Sequence, residues 1–208
     1  MTNRLVIIGA GGHSKVVADI ALLSQGYNQI LYLDDGQPVG TQLKGGKVVG
    51  KVSDWQRWQA PDSEFFVAIG NNAVRKELFD MMFAANAAFA TLIHPSAIIA
   101  DCVSIDVATL IVAGAVINPA TEIGKGCIIN TSSSVDHDCV IKDFVHIAPG
   151  CSLAGTITLG EQCFLGIGSK IIPGVTVGAQ VTVGAGAVVV RDIDEGLTVV
   201  GCPAKPQN

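Results

Sequence analysis

Ile123-Gly124-Lys125-Gly126-Cys127-Ile128-Ile129 carries one aliphatic residue at Ile123 and the next of the same phase at Ile129, six positions on. The interval holds far beyond this stretch. Stepping by six from Ile93 gives Ile99, Ile105, Ile111, Ile117, Ile123, Ile129, Val135, Ile141, Ile147, Leu153, Leu159, Leu165, Ile171, Val177, Val183 and Val189, seventeen aliphatic residues without a slip of phase. Even in a segment half made of Ile, Leu and Val, chance produces such a series about once in 10⁵ trials. Four positions after the hits the side chain is small or β-branched, as at Val103, Thr109, Ala115, Thr121, Cys127, Ser133, Cys139 and Val145. A helix repeats about every 3.6 residues and a flat strand every two, so neither explains six. A solenoid of short strands bending once per hexad does, with the aliphatic residue inside. The reading is a parallel β-helix.

The chain before this register has another pattern. Leu5-Val6-Ile7-Ile8 reads as a buried strand, Gly9-Ala10-Gly11-Gly12 as a tight turn, and Ser14 to Leu23 as a helix facing a sheet. Ile30 to Leu33 and Phe65 to Ile69 read as further strands, ending at Asp34-Asp35-Gly36 and Gly70-Asn71-Asn72, and Ala73 to Asn86 as a helix. Alternating strands and helices predict a small parallel α/β domain. Composition agrees with a folded chain. Of 208 residues, 49% are hydrophobic and 15% charged, which excludes disorder. The apolar residues are spread among glycines and polar residues, so no membrane span is expected. A net charge of -5 gives no footprint for nucleic acid or anionic lipid. The opening Met-Thr-Asn-Arg-Leu-Val-Ile-Ile-Gly lacks a signal-peptide pattern, and a cytoplasmic location is expected.

The hexads Ile123 to Ile128 and Val183-Gly184-Ala185-Gly186-Ala187-Val188, together with Gly9-Ala10-Gly11-Gly12-His13, Leu33-Asp34-Asp35 and the closing Gly201-Cys202-Pro203-Ala204-Lys205, carry a resemblance over essentially the whole chain. It resembles the hexapeptide-repeat acetyltransferases that act on nucleotide amino sugars or sialic acids. The resemblance implies a Rossmann-like nucleotide-sugar-binding domain at 1–88, a left-handed parallel β-helix at 89–191 with three hexads per coil, and a tail at 192–208 capping the helix. It also implies a homotrimer with active sites in the clefts between chains, acetyl-CoA as co-substrate, and a nucleotide-linked amino sugar carried on UDP or dTDP. Seventeen hexads make between five and six coils, roughly 27 Å of stacked strands.

His137 follows the inward Val135 by two positions and should point out of the shaft, between Asp136 and Asp138. A neutral imidazole can take the proton of an amine or hydroxyl that attacks a thioester, provided a carboxylate holds its other nitrogen. A solvated surface histidine satisfies the same residues. The resemblance assigns His137 as general base and Asp138 as its orienting acid, where relatives often carry the longer Glu; whether Asp138 or Asp136 reaches the ring stays open in the sequence. It further places His146 at the thioester carbonyl of acetyl-CoA and Asn130 near the acceptor sugar. Gly155, Gly166, Ile167 and Gly168 are candidates for the acetyl-CoA wall, because glycine permits close backbone approach.

At the N-terminus the glycine turn could bring backbone N–H groups to a phosphate. The full G-x-G-x-x-G signature fails at Ser14, which disfavours a redox dinucleotide. Relatives use this turn and the Asp-Asp pair for the nucleotide, which nominates Gly11, Gly12, His13, Asp34 and Asp35. His94, beside Pro95, reads as structural.

Cys127, Cys139, Cys151 and Cys163 lie twelve apart at small inward positions, with no C-x-x-C pair. They read as reduced, buried hydrophobes rather than metal ligands, and no metal is expected. Three rivals remain: O-acetylation of a sialic acid or other sugar hydroxyl, a non-catalytic scaffold, and a metal-bearing shaft, for which only His137 and His146 are at hand.

Overall fold

The computed structural model describes residues 4–24 and 26–207 and divides into two compact units, one up to Pro95 and one from Ser96 onward. In the first unit β1 (Arg4–Ile8), α1 (Gly12–Leu23), β2 (Gln29–Leu33), β3 (Gln42–Leu43), β4 (Gly46–Gly50), β5 (Ser63–Val67) and α2 (Asn72–Ala84) follow in order, with a 3-10 helix at Val52–Trp58. The sheet order is β3-β4-β2-β1-β5. β2, β1 and β5 run parallel, with Leu5 opposite Ile30 and Glu64. Unbroken apolar strands suit a sheet covered on both faces; Val6, Ile8, Leu33, Phe65 and Val67 pack with Trp55 and Met82. From β1 the chain passes through α1 to β2 on one side, while β5 lies on the other. The loops leaving β1 and β5 therefore diverge at a switch point, where open α/β sheets form their crevice.

Element bounds differ from the sequence reading for local reasons. α1 begins at Gly12 rather than Ser14, with Gly11 as its N-cap. α2 starts at Asn72, because the Asn71 side chain accepts the Val74 N–H at 3.1 Å. It stops at Ala84 rather than Asn86, and Asn86 takes the left-handed conformation (φ 59°) that closes helices. The antiparallel β3–β4 pair was not foreseen.

The second unit is a prism of two-residue strands. Its first face stacks Ile98–Ile99, Val116–Ile117, Ser134–Val135, Ser152–Leu153, Lys170–Ile171 and Val188–Val189. The second stacks Ser104–Ile105, Glu122–Ile123, Val140–Ile141, Thr158–Leu159 and Thr176–Val177. The third includes Leu110–Ile111, Ile128–Ile129, His146–Ile147, Phe164–Leu165, Thr182–Val183 and Thr198–Val200. Up to Val189 neighbours on a face are parallel and differ by one coil of 18 residues, as in Ile117 opposite Val135 and Ile129 opposite Ile147, while Thr198 stands opposite Thr182, 16 residues before it. From Ile111 to Val189 every aliphatic residue of the six-step series is buried, while Ile99 and Ile105 are partly covered.

The bend has a single cause. One residue per hexad, three after the inward aliphatic, sits at positive φ: Ala108, Gly114, Ala120, Gly126, Ser132, Asp138, Phe144, Gly150, Thr156, Gln162, Gly168, Gly174, Gln180 and Gly186. From Gly126 onward its N–H donates to a carbonyl of the preceding coil, as Asp138 N does to Pro119 O at 3.1 Å and Phe144 N to Lys125 O at 2.8 Å, whereas Gly114 N and Ala120 N donate to Ser96 Oγ at 3.2 Å and Cys102 Sγ at 3.3 Å. The position after it points inward, and there threonine and cysteine do one job. Thr109 Oγ1 donates to Gly124 O at 2.9 Å and Thr121 Oγ1 to Asp136 O at 2.8 Å. Cys127, Cys139, Cys151 and Cys163 donate from Sγ to Lys142, Ala154, Gly166 and Gly178 carbonyls at 3.1, 3.3, 3.1 and 2.8 Å. The buried cysteines are thus hydrogen-bond donors as well as small fillers, which the sequence reading overlooked. Burial pushes the Cys163 thiol up to about 11, so it keeps the proton it donates.

Residues at 192–207 divide. Ile193 bridges to Val177 and Thr198–Val200 pairs parallel with Thr182–Val183, continuing the prism. Lys205–Pro206 then turns back antiparallel on Thr198–Val200.

Candidate active site

His137 stands at the corner between the first and second faces, immediately before the left-handed residue Asp138 (φ 57°). Aspartate is enriched among the non-glycine residues that take this conformation. His137 Nδ1 donates to Asp138 Oδ2 at 2.7 Å. The shorter acid therefore reaches the ring, and it leaves Nε2 carrying the lone pair. Both side chains are 56% exposed. The hydrogen bond to Asp138, followed by the charge of Asp136 and Asp138, raises the imidazole above its ordinary value. Asp136 is turned elsewhere: its Oδ1 accepts from Asn118 Nδ2 at 2.9 Å and from the His137 backbone N–H at 2.8 Å.

Gly155, one coil above His137, makes room for the ring. A Cβ built there would lie 2.6 Å from both Cε1 and Nε2 of His137, far inside contact distance. The side chain missing at Gly155 is replaced by the imidazole itself.

His146 lies on the third face, half-buried. Its Nε2 is 3.3 Å from Asn130 Nδ2, and its ring meets Phe164 of the next coil edge-on, centroids 5.2 Å apart. Asn130 Oδ1 accepts the Thr131 N–H at 2.8 Å. The two histidines therefore occupy different sides of one prism. At the following corner, Gly166 is required for coil stacking, since a Cβ would stand 2.6 Å from Ala185 N. Ile167 is 58% exposed. Gly168, at φ 69°, has open space where a Cβ would be. A smooth, apolar, backbone-rich wall results.

In the first unit Gly11 and Gly12 also have nothing within 4 Å of a built Cβ, so the first turn of α1 presents bare backbone. That end carries no acidic side chain and no side-chain cap, and N–H groups of a helix start favour anions. Asp34 braces this turn. Its Oδ2 accepts from Ala10 N at 2.7 Å, and its Oδ1 from Gly36 N and Gln37 N at 2.9 and 2.8 Å. Asp35 Oδ1 accepts from Val52 N at 3.0 Å. Burial, then the charge of Arg75, lowers His13 to about 4, so His13 is a neutral group here. Arg75 is itself buried, donating to Ile69 O at 3.0 Å, Gly70 O at 3.3 Å and Asn72 Oδ1 at 2.9 Å. It thus organises the loop after β5, on the other side of the switch point.

Two family descriptions match the chain: the PglD N-terminal domain over residues 4–82 and the bacterial transferase hexapeptide (six repeats) over 156–191. The acetyltransferase domain of PglB from Neisseria gonorrhoeae FA1090, solved in complex with acetyl coenzyme A, is 38% identical with a TM-score of 0.95, the match covering 100% of each chain. The chain belongs to the PglD-type hexapeptide acetyltransferase family. PerB from Caulobacter crescentus, solved with CoA and GDP-perosamine, is 36% identical at a TM-score of 0.85 and covers 100% of this chain and 99% of its own. The UDP-N-acetylbacillosamine N-acetyltransferase of Bacillus subtilis (strain 168) is 38% identical over 115 residues, 53% of this chain, so the match spans 52% of that relative's length. As in that family, the fold is a Rossmann-like α/β unit followed by a left-handed β-helix.

Among the described residues of this family member, no group of three or more His, Cys, Asp or Glu is placed to hold a metal ion, and no helix is long and apolar enough to cross a membrane. Three residues went unnoticed in the sequence: Asn118, Phe164 and Arg75. Asn118 is 18 before Asp136 and Phe164 is 18 after His146, so writing the sequence in rows of one coil would have aligned both with the site. Arg75 carried no such signal; a lone arginine on a helix reads as a surface residue.

Proposed function

We propose that this protein transfers the acetyl group of acetyl-CoA to the amine of a nucleotide-linked amino sugar, for the building of a surface glycan. The observation that carries this is the His137–Asp138 pair with its Gly155 niche, an exposed and oriented base on the wall of a β-helix. The relatives solved with acetyl coenzyme A, and with CoA and GDP-perosamine, support the choice of donor and acceptor.

The amine nitrogen attacks the thioester carbonyl carbon while His137 Nε2 takes its proton. Asp138 keeps the proton on Nδ1 and stabilises the imidazolium that forms. The tetrahedral adduct expels the CoA thiolate, which receives the proton back. General-base assistance of this kind is worth about 10²–10⁴-fold, and holding donor and acceptor together contributes much of the remainder. His146, steered by Asn130, would hydrogen-bond the thioester carbonyl, and the wall at Gly166, Ile167 and Gly168 would carry the pantetheine arm. Because His146 and His137 lie on different sides of one prism, a single site uses both only where two chains meet. That supports a homotrimer with active sites between subunits.

The nucleotide would rest on the first turn of α1 at Gly11 and Gly12, beside the loop that Arg75 organises. Asp34 and Asp35 would shape this pocket through the backbone. The cytoplasm, where acetyl-CoA and nucleotide sugars are at hand, suits the reaction. The test is a thermal-shift panel of UDP-, dTDP- and GDP-linked amino sugars, followed by thiol release from acetyl-CoA with each ligand found. Turnover with an amino sugar and none with its hydroxyl analogue is expected. Turnover with sialic acid or a hydroxyl sugar instead would make the protein an O-acetyltransferase.

A further inference from the structure

Two carboxylates flank His137 in sequence, and they act on different parts of it. Asp138 meets the ring, whereas Asp136 Oδ1 accepts the His137 backbone N–H at 2.8 Å. The same oxygen is held from the coil below by Asn118 Nδ2 at 2.9 Å, and the Asp136 carbonyl is held by Thr121 Oγ1 at 2.8 Å. We infer that Asp136, fixed by Asn118, is a positioning residue for His137, setting the backbone from which the imidazole enters the Gly155 niche and meets Asp138. This rests on the base role proposed for His137.

The backbone grip recurs elsewhere in the prism: Asp106 Oδ1 accepts from Val107 N at 2.7 Å and Asn130 Oδ1 from Thr131 N at 2.8 Å. It is a way for this fold to pin the step into a corner. At Asp136 it is joined by the Asn118 clamp and by a charge next to an imidazole. The His137 N–H, then the Asn118 amide, hold the Asp136 carboxyl below the usual carboxylate range, so it stays ionised while His137 titrates. The residues one coil below Asp136, His137 and Asp138 are Asn118, Pro119 and Ala120, and those one coil above are Ala154, Gly155 and Thr156; these six carry no charge. Cys139, inside, is kept protonated by burial. Asp136 therefore adds to Asp138 in favouring the imidazolium.

Titration of histidine-labelled full-length protein by NMR tests this without any substrate, with the His137 signals assigned by their loss in His137→Asn. Asp136→Asn keeps an acceptor oxygen, so the hydrogen-bonded Nδ1–H signal should persist while the titration midpoint falls. Asp136→Ala should lose that signal and lower kcat by about tenfold, with KM for acetyl-CoA unchanged. Asn118→Ala, which leaves the carboxylate in place, should give a smaller change in the same direction and serves if Asp136→Ala does not fold. If Asp136→Ala lowers the melting temperature but leaves the His137 signal and midpoint as they were, the role is structural and the inference fails. A raised KM for the acceptor with kcat intact would make Asp136 a substrate ligand, and also overturns it. Altered titration in a protein that never transfers acetyl upholds the positioning and removes the base role instead.

Discussion

Two corners of the prism use the same device to different ends. At one, Gly126 leaves space into which Phe144 of the next coil folds; a Cβ at Gly126 would lie 2.4 Å from that ring, and Phe144 is wholly buried. At the other, Gly155 leaves space for His137 of the preceding coil, whose side chain remains 56% exposed. A glycine opposite an aromatic ring is thus a packing solution where the ring is phenyl and closed off. Where the ring is imidazole and open, it becomes a mount for a base. The backbone differs as well: Gly126 sits at φ 64°, and Gly155 does not need positive φ.

Removing the ring at the open corner should have the largest effect on chemistry. His137→Ala is expected to lower kcat by about 10²–10⁴-fold, with acetyl-CoA affinity by calorimetry changed less than about twofold. Unaltered turnover would end the mechanism. Exchanging the glycines sharpens the contrast. Gly126→Val meets both Phe144 and a left-handed backbone, so about 1–3 kcal/mol of overpacking adds to about 1–2 kcal/mol of strain, read as a fall in urea midpoint. Gly155→Val displaces only a ring that solvent can receive; kcat should drop by about tenfold or more with the midpoint nearly unmoved. Equal stability losses at the two sites would dissolve the distinction.

The acid side of the pH profile follows from Asp138. Its carboxylate raises the imidazole, so the base form, and kcat/KM with it, should fill in only above the ordinary histidine value of 6.5. Asp138→Asn removes that support, and the rising limb should move to lower pH while the plateau falls. The smallest effect belongs to the inward donors. Cys139→Ala strands the Ala154 carbonyl at a cost of about 1 kcal/mol, whereas Cys139→Thr, which copies Thr109 and Thr121, should lie close to the parent in urea.

The six-step register is legible because burial selects for it at each hexad from Ile111 to Val189, although Ile93, which opens the series, is exposed; the outward aim of His137 follows from that register alone. The bends were hidden, since eight of the fourteen left-handed positions are not glycine: Ala108, Ala120, Ser132, Asp138, Phe144, Thr156, Gln162 and Gln180. From Ser132 to Gln180 backbone hydrogen bonds to the preceding coil hold those residues there, and such bonds join positions 19 apart. The register already places Gly155 one coil above His137 and offers it to acetyl-CoA; that the His137 ring itself fills the space beside it depends on the side chain's rotamer, which no sequence displays. In the first unit the glycine turn reads as backbone that a phosphate could approach, and Gly11 and Gly12 have nothing within 4 Å of a built Cβ. Asp34, nominated for the nucleotide, has a carboxylate that also accepts three backbone N–H groups. A short acid after a strand looks the same in sequence whether it braces a turn or faces a ribose.

Up to Val189 the pitch of 18 residues gives the outer wall the graduations of a ruler, one mark for each rise of about 4.8 Å. Height along it is counted in whole coils, so losing or gaining any other number of residues would rotate every later mark to a different side. Reach between a base and the far end of a long donor is then an integer, and lineages can retune it by copying or deleting one complete turn.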